Sequence, residues 1–343
     1  MPIRRPGPER GRGRVEHVRL GRTGLRVSRL CLGTMTFGLQ CDEATSRAIL
    51  DAADEAGVTF LDTADVYPLG GDTGTAGATE EIVGRWLGGK RDRFIVATKC
   101  FGQMGPSPWD RGASRKHILG AIDGSLRRLG TDYVDLYQLH GFDPATPLDE
   151  TLGALDTVVR SGKARYVGVS NWLAFRLARA LGRSEVGHLV RFDSAQPRYN
   201  LLFREFERDL LPLCHEEGIG VIPYNPLAGG LLSGKHRPGA PGDGTRFTLG
   251  NAGRIYQDRY WHDREFATVE QLRELAGEAG MSLATMAVAW VLAHPAITAP
   301  IVGASRPDQL DDSVQAVGRS LEPDLLARLH ELTAGYRRGD AER

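Results

Sequence analysis

Short, continuous apolar runs alternate along the chain with segments of helical period. The runs do not alternate with polar residues, which is typical of parallel strands buried on both faces. They are Leu30–Leu32, Val58–Leu61, Phe94–Thr98, Val134–Leu139, Tyr166–Ser170, Ser194–Gln196, Gly220–Tyr224 and Thr298–Val302. The helical segments include Ala44–Ala56, Glu80–Leu87, Arg115–Leu129, Pro147–Ser161, Arg204–Glu217, Phe266–Ala279 and Leu283–Ala293. Strands that are each followed by a helix predict the α/β class and a (β/α)8 TIM barrel.

Two features add to this barrel prediction. Val18–Leu20 and Leu25–Ser28 flank the turn Gly21-Arg22-Thr23-Gly24, which predicts an N-terminal β-hairpin that plugs the N-terminal end of the barrel. The seventh and eighth strands lie about 75 residues apart, so we expect a long insertion between them. An open doubly wound sheet is the alternative, but Gly33–Gly38 lacks its G-x-G-x-x-G pattern.

The two ends of the chain are expected to lie outside the barrel. Residues 1–14 are rich in Arg, Pro and Gly and predict a disordered basic tail, for which contact with a membrane or nucleic acid is the weaker alternative. We expect a single domain over 15–335 and a C-terminal tail over 336–343.

Composition narrows the choice of partners. The 343 residues include 43 basic and 43 acidic side chains, whereas nucleic-acid-binding proteins usually carry a basic excess. The four cysteines are far apart in sequence, which fits a reducing cytoplasm better than a disulfide framework or a zinc site. No run of apolar residues is long enough to span a membrane. The sequence predicts a cytoplasmic monomer or homo-oligomer that binds no nucleic acid, membrane or metal.

Polar side chains follow most of the predicted strands. Chemistry in a (β/α)8 barrel lies at the C-terminal ends of the strands, so we expect these side chains to share one rim. They are Asp62, Lys99, His140, Ser170 with Asn171, Gln196 and Tyr224. A single such residue is more often a cap or a loop hydrogen bonder, but the whole set favours a functional site.

Four residues suggest a unit that handles protons. Asp62, Lys99 and His140 end consecutive strands, and Tyr67 lies in the loop after Asp62. A buried Lys99 needs a carboxylate partner such as Asp62. A cation about 4 Å from a phenol favours the phenolate by roughly 4 kcal/mol at an effective dielectric near 20. We therefore expect Lys99 to lower the pKa of Tyr67 until the phenol can act as a general acid.

Other chemistries fit these residues less well. Lys99 could form a Schiff base, but a lysine paired with Asp62 would be protonated and a poor nucleophile. Metal-dependent hydrolysis needs clustered ligands, and His140 has only Asp143 nearby in sequence. The run Gly168–Trp172 misses the G-x-S-x-G pattern of serine hydrolases at its last position.

The last two loops predict a phosphate site. Gly229, Gly234 and Lys235 match G-x-x-x-x-G-K, but His236 replaces the hydroxyl residue that would hold magnesium. A glycine-rich backbone and a cation remain. After the eighth strand, Ser305 and Asp308 predict a capped helix N-terminus, and Arg306 is placed to bind an extra phosphate.

These motifs closely resemble those of the aldo-keto reductases from about Val18 to about Leu332, and most of all the bacterial branch related to potassium-channel β subunits and sugar-modifying reductases. The matching segments are Gly33-Thr34, Asp62 to Tyr67, Thr98-Lys99, Leu139-His140, Gly168 to Asn171, Ser194 to Gln196, Tyr224 to Gly230 and Gly303 to Arg306. The resemblance implies an enzyme that uses NADPH to reduce the carbonyl of an aldehyde, a ketone or a keto sugar.

The resemblance also implies roles for individual residues. Tyr67 would donate a proton to the carbonyl oxygen, Lys99 and Asp62 would tune the phenol, and His140 would orient the substrate. The implied cofactor-binding residues are Gly33, Thr34, Asp62, Ser170, Asn171, Gln196, Tyr224, Asn225, Pro226, Leu227, Gly229, Leu231, Lys235, Gly303, Ser305, Arg306, Gln309 and Ser313. Within this set, Ser170, Asn171 and Gln196 would bind the carboxamide, and Tyr224 would stack on the nicotinamide.

Two of these positions depart from the pattern of the family. Ser313 stands where many relatives have asparagine, and Asn225 replaces a common serine. Tyr67, His140 and Trp172 are expected to contact the substrate, within a mouth formed by the loops Pro68–Ala78, Phe101–Asp110 and Arg237–Tyr260.

Two other functions remain open on the sequence. One is an NADPH-binding sensor or auxiliary subunit with slow turnover. The other is a barrel lyase that uses Lys99 as a Schiff base.

Overall fold

A computed structural model describes residues 15–340 of the chain. The predicted basic tail over 1–14 lies outside the described residues. An antiparallel hairpin comes first, with β1 (His17–Arg19) paired to β2 (Arg26–Ser28) in the register Val18 opposite Val27. The predicted N-terminal hairpin is therefore present.

Eight further strands form one parallel sheet. In chain order they are β3 (Cys31–Gly33), β4 (Phe60–Asp62), β5 (Ile95–Cys100), β6 (Val134–Leu139), β7 (Ala164–Ser170), β8 (Ser194–Gln196), β9 (Gly220–Val221) and β10 (Ile301–Val302). From β3 to β9 each strand pairs with the next, and β10 pairs with β3. Isolated bridges from Val221 to Ile297 and from Tyr224 to Ile301 link the remaining edges. The sheet is curled as a (β/α)8 barrel requires.

Helices follow the strands and cover the outside of the sheet. They are α1 (Glu43–Glu55), α2 (Ala78–Leu87), α3 (Arg115–Leu129), α4 (Leu148–Arg160), α5 (Ala174–Gly187), α6 (Leu210–Glu216), α7 (Gly250–Tyr260), α8 (Asp263–Glu278), α9 (Leu283–Ala293), α10 (Leu310–Ala316) and α11 (Pro323–Leu332). Local signals set several ends: the Ser114 side chain caps α3, and Gly57 follows α1 with a φ of 81°.

The hairpin packs against the N-terminal end of the sheet. Leu20 and Val27 are fully buried in a cluster with Cys31 and Phe60, the first residues of β3 and β4. Gly21 sits so close to the backbone of Gly218 that a Cβ atom there would lie 2.3 Å from the carbonyl oxygen. Because the hairpin fills this end, the opposite end of the barrel is left for the functional site.

One predicted helix is divided in the structure. The expected helix Arg204–Glu217 is a 3-10 turn at Glu205–Glu207 followed by α6, since Pro212 lacks an N–H and its ring would clash with the carbonyl four residues earlier. At the C-terminus, the 3-10 helix Ala334–Arg338 packs onto the barrel and buries Tyr336.

The segment between β9 and β10 carries 3-10 helices at Ala228–Ser233 and Arg246–Thr248, followed by α7, α8 and α9. Within residues 15–340 no single helix is long and apolar enough to cross a membrane, although α8 and α9, which meet at a 90° bend, together have the length and composition for it.

Candidate active site

A cavity of about 770 Å³ opens at the C-terminal ends of the barrel strands. Gly33, Asp62, Ser170, Gln196 and Val302, the last residues of five strands, line it. The loops after β4, β6 and β9 add further walls. The predicted rim of polar strand ends therefore faces one space.

Asp62, Lys99 and Tyr67 form a hydrogen-bonded chain at the floor of this cavity. The ammonium of Lys99 is fully buried and donates to Asp62 Oδ2 at 2.6 Å, to the Thr63 carbonyl at 2.8 Å and to Tyr67 Oη at 3.4 Å. A turn in which the Tyr67 N–H donates to the Ala64 carbonyl brings the phenol back over the strand ends. The His140 ring lies 5.7 Å from the Tyr67 ring, edge to face. The four predicted catalytic residues therefore meet at one place.

Burial, rather than the charge of Lys99, dominates the acidity of Tyr67. Burial raises the pKa of Tyr67 above its ordinary value, Lys99 offsets this only in part, and Asp62 adds to the rise. Lys99 does act to lower this pKa, as predicted, but the prediction that its charge decides the net shift was wrong, because burial outweighs it. Burial also works against the charge of Lys99, but Asp62 and Tyr67 more than compensate and raise its pKa. At neutral pH the hydrogen-bonded group therefore contains the charged ammonium of Lys99 next to the protonated phenol of Tyr67.

His140 is the uncharged member of the group. Burial and the nearby charge of Lys99 lower the pKa of His140 to about 3. The imidazole is therefore neutral at physiological pH, and it can donate one hydrogen bond to an oxygen in the cavity without carrying a charge.

Gln138 is a contributor that the sequence analysis missed. Its side-chain amide donates to Asp62 Oδ1 at 3.2 Å, and that of Gln196 donates to the same oxygen at 2.9 Å. Gln138 precedes His140 by two positions on β6, so the alternation of side chains along a strand was the available signal. Gln196, predicted as a carboxamide ligand, also serves to hold Asp62.

The remaining residues predicted near the nicotinamide come together beside His140. Asn171, with a φ of 61°, donates to the His140 carbonyl at 3.0 Å and accepts from Tyr224 Oη at 2.8 Å. Ser170 donates to the Gln196 carbonyl, and Asn225 accepts from Tyr256 Oη at 3.2 Å.

The glycine-rich loop after β9 forms the opposite end of the cavity. Gly229 has a φ of 69°, Gly230 one of 105°, and a Cβ on Gly229 would lie 2.6 Å from the ring of Tyr256. These left-handed conformations favour glycine and leave room for a ligand to approach the backbone. Burial, together with the charges of Arg306 and Arg246, lowers the pKa of Lys235. Three cations therefore lie near one another at this end.

The loop after β10 differs from the predicted cap. Gln309 reaches back to accept from the Ser305 N–H at 2.8 Å, whereas Asp308 pairs with Arg306. The segment Pro307–Gln309 is a 3-10 helix without a side-chain cap. Ser305, Arg306 and Gln309 all line the cavity.

Most of the other predicted residues line the cavity too, but a few do not. Thr34, Pro226, Leu227 and Gly303 are among those that do. Leu231 and Ser313 are buried behind the wall.

Trp172 was predicted to contact the substrate but is only 3% exposed, because it packs against Phe142 and Phe192 outside the cavity. The loop Phe101–Asp110, predicted as part of the mouth, contributes nothing to the wall either. The predicted loop Arg237–Tyr260 does contribute, through residues that include Arg246 and Arg259, which were not singled out as site residues.

Comparison with known proteins gives the site its context. The family model "Aldo/keto reductase family" matches residues 29–334. The chain is 41% identical to an uncharacterized oxidoreductase, YrpG, of Bacillus subtilis, over 94% of this chain and 97% of that protein. It is 38% identical to a probable voltage-gated potassium channel subunit beta of Arabidopsis thaliana, over 93% and 96% of the two chains.

A third relative is the L-glyceraldehyde 3-phosphate reductase of Escherichia coli O157:H7, which is 37% identical over 94% of each chain. Since the family model covers nearly the whole barrel and these relatives align almost end to end, the chain belongs to the aldo/keto reductase family and is an oxidoreductase.

Proposed function

We propose that this protein uses NADPH to reduce the carbonyl of an aldehyde, a ketone or a keto sugar. The observation that carries the proposal is the hydrogen-bonded group Asp62–Lys99–Tyr67 at the floor of a cavity whose other end holds Lys235 and Arg246, two cations without an ion pair among the described residues. Family membership supports the same reaction class.

The end of the cavity formed by the glycine-rich loop after β9 and by Arg306 is called the phosphate end. Its residues suit a dinucleotide. Neither Lys235 nor Arg246 forms an ion pair with a described acidic residue, and their mutual repulsion would be relieved by phosphate groups. Gly33 lines the cavity, and a Cβ there would lie 2.7 Å from the Ile301 side chain, so a larger residue would displace this part of the wall. Lys235, Arg246 and Arg306 would hold the phosphates, and Ser170, Asn171 and Tyr224 would surround the nicotinamide. When bound, this cofactor supplies a hydride to the carbonyl carbon.

The protein's own residues would then manage the proton. Neutral His140 donates a hydrogen bond to the carbonyl oxygen and fixes its position. Tyr67 transfers its proton to that oxygen as negative charge develops there. Lys99 stabilises the phenolate that is left, and Asp62 keeps Lys99 charged and in place. Trp172 has no part in this scheme because it lies outside the cavity.

The proposal extends to the location, the partners and the segment between β9 and β10. We place the protein in the cytoplasm, since its four cysteines are free and buried. We propose no nucleic-acid or membrane partner, and a monomer or homo-oligomer. We interpret the segment between β9 and β10 as an insertion over the cavity, because its residues Gly244 to Arg259 contribute to the wall.

A fluorescence titration with NADPH and NADH, together with the Tyr67→Phe variant, tests the function. We expect NADPH to bind more tightly than NADH, because Arg306 is available to a 2′-phosphate once it leaves Asp308. Tyr67→Phe should lower carbonyl reduction by about 10²- to 10⁴-fold with NADPH affinity unchanged. Loss of NADPH binding in the variant, or normal turnover, would contradict the role of Tyr67.

A second candidate is a cofactor-binding auxiliary subunit with slow turnover. The identity to a probable potassium channel subunit beta favours it. Slow turnover with every carbonyl tested, together with a co-purifying partner, would support this alternative. A lyase that uses Lys99 as a Schiff base is disfavoured by the raised pKa of Lys99, and trapping of a substrate on Lys99 with borohydride would revive it.

A further inference from the structure

The wall of the cavity carries an excess of positive charge. Its acidic residues are engaged: Asp62 pairs with Lys99, Asp308 pairs with Arg306, and Asp312 accepts hydrogen bonds from Ser282 and Thr285. Its remaining cations, which form no ion pair with an acidic residue in the described part of the chain, are Lys235, Arg246 and Arg259.

These three cations interact with different neighbours. Lys235 and Arg246 influence one another and Arg306, so they share the phosphate end. Arg259 instead interacts electrostatically with Tyr224 and Tyr260. The Tyr224 hydroxyl bonds Asn171, and Asn171 bonds the His140 carbonyl. Arg259 therefore lies on the side of the cavity where Tyr224 meets Asn171 and His140.

Helix α7 directs Arg259 into the cavity. Ala252, Ile255, Tyr256 and Arg259 follow the i, i+3, i+4, i+7 spacing of one helical face, and all four line the wall. The helix is fixed by the bond from Tyr256 Oη to Asn225. Arg254, on another face, is exposed to solvent and does not line the cavity.

A second cation near Tyr224, Arg198, already has partners. Arg198 is buried, pairs with Asp340 and stacks its guanidinium 3.4 Å from the centre of the Phe203 ring. Arg259 is part-buried and makes no such contact with a described residue. A part-buried guanidinium without a counter-charge, next to apolar Ile255, suits a ligand that combines a short carbon chain with an anion.

We propose that Arg259 binds an anionic group of the substrate, a carboxylate or a phosphate, so that the preferred substrate is an aldehyde or ketone with such a group a few atoms from its carbonyl. This proposal rests on the proposed carbonyl reduction. It assigns the binding of the substrate anion to α7, and it leaves the proton transfer to Tyr67 and the positioning of the carbonyl oxygen to His140.

Matched pairs of substrates test the proposal. The pairs are succinic semialdehyde with butanal, and glyceraldehyde 3-phosphate with glyceraldehyde, which separate a carboxylate from a phosphate. The variants are Arg259→Met, Arg259→Lys and, as a control on the same helix, Arg254→Met. Each variant is first checked for unchanged thermal unfolding and NADPH binding.

Wild-type enzyme should favour the anionic member of at least one pair. Arg259→Met should lower kcat/KM for that member by about tenfold to hundredfold, mainly through KM, because one charged hydrogen-bonding partner is lost. Its kcat/KM for the neutral member should stay within about twofold, as should both values for Arg254→Met. Arg259→Lys should retain part of the preference, since it keeps the charge but not the planar geometry.

Other results would overturn the proposal. An equal loss for charged and neutral substrates in Arg259→Met would mean that Arg259 supports the fold of the wall. If wild-type enzyme turns over the neutral substrates and shows no preference for the anionic ones, the anion site is refuted but the proposed carbonyl reduction is not. No turnover of either member by wild-type enzyme that binds NADPH would refute the proposed carbonyl reduction, and this inference with it.

Discussion

Replacing Lys99 by Met should strongly destabilise the protein, because it leaves the buried carboxylate of Asp62 without its counter-ion. The ammonium is fully buried and lies 2.6 Å from Asp62 Oδ2. Two unit charges at this distance attract by roughly 6 kcal/mol at an effective dielectric of about 20. Gln138 and Gln196 still donate to the other oxygen of Asp62, which limits the loss. We expect Lys99→Met to lower the free energy of unfolding by about 3–5 kcal/mol.

A double-mutant cycle measures this coupling. Lys99→Met, Asp62→Asn and the double variant are compared with wild type by urea unfolding followed by circular dichroism. The double variant should be less destabilised than the sum of the single variants by about 2 kcal/mol or more, because removing both charges leaves no unpaired ion. The matched control is the pair Lys163–Asp123, 2.7 Å apart but 38% and 45% exposed.

The control pair should couple by no more than about 1 kcal/mol, since water screens it. Additive effects at Lys99 and Asp62, or equal coupling in the two cycles, would show that burial does not strengthen this ion pair. Asp62 would then not be the group that keeps Lys99 charged, and the proposed role of Lys99 in stabilising the phenolate would be refuted.

Two further predictions concern pH. Burial, followed by the charge of Glu80, raises the pKa of Asp65 far above its ordinary value, so the folded protein binds this proton more tightly than the unfolded chain does, and stability falls as pH rises between the two values. Asp65→Asn should therefore gain stability relative to wild type between about pH 5 and about pH 8, and urea unfolding that shows the same difference at both would contradict this. The kcat for carbonyl reduction should be flat from about pH 6 to about pH 9, because the pKa of Tyr67 is raised and that of His140 is about 3; a midpoint inside this range in steady-state kinetics would be inconsistent with it.

The regular parts of the barrel could be predicted from sequence because their local signals agree with their packing. The predicted bounds of α3, α9 and β6 are those observed, and each has a clear period or a continuous apolar run. Helix α7 was not predicted, since Gly250 and Gly253 have low helix propensity and the helix is held instead by contacts of its buried face. Arg259 stayed hidden for the same reason.

The candidate site was predictable as a set of strand ends but not as a surface. The barrel topology alone brings Asp62, Lys99 and His140 together. A residue that follows a strand end can face either side of the backbone, and the backbone angles of one preceding residue decide which. Asn171 adopts a left-handed conformation, and Trp172 then packs against Phe142 and Phe192 instead of facing the cavity.

The acidity of Tyr67 illustrates what spacing along a chain leaves out. The expected separation of about 4 Å from Lys99 was close to the 3.4 Å observed, yet the expected direction of the pKa shift was reversed. Loss of water around the phenol destabilises the phenolate. Asp62 pairs with the same ammonium, and its negative charge partly cancels the stabilisation that Lys99 gives to a phenolate. Lys99 therefore does not prepare a phenolate in the resting protein. It stabilises one only as the proton leaves, and that is the moment at which stabilisation lowers the barrier.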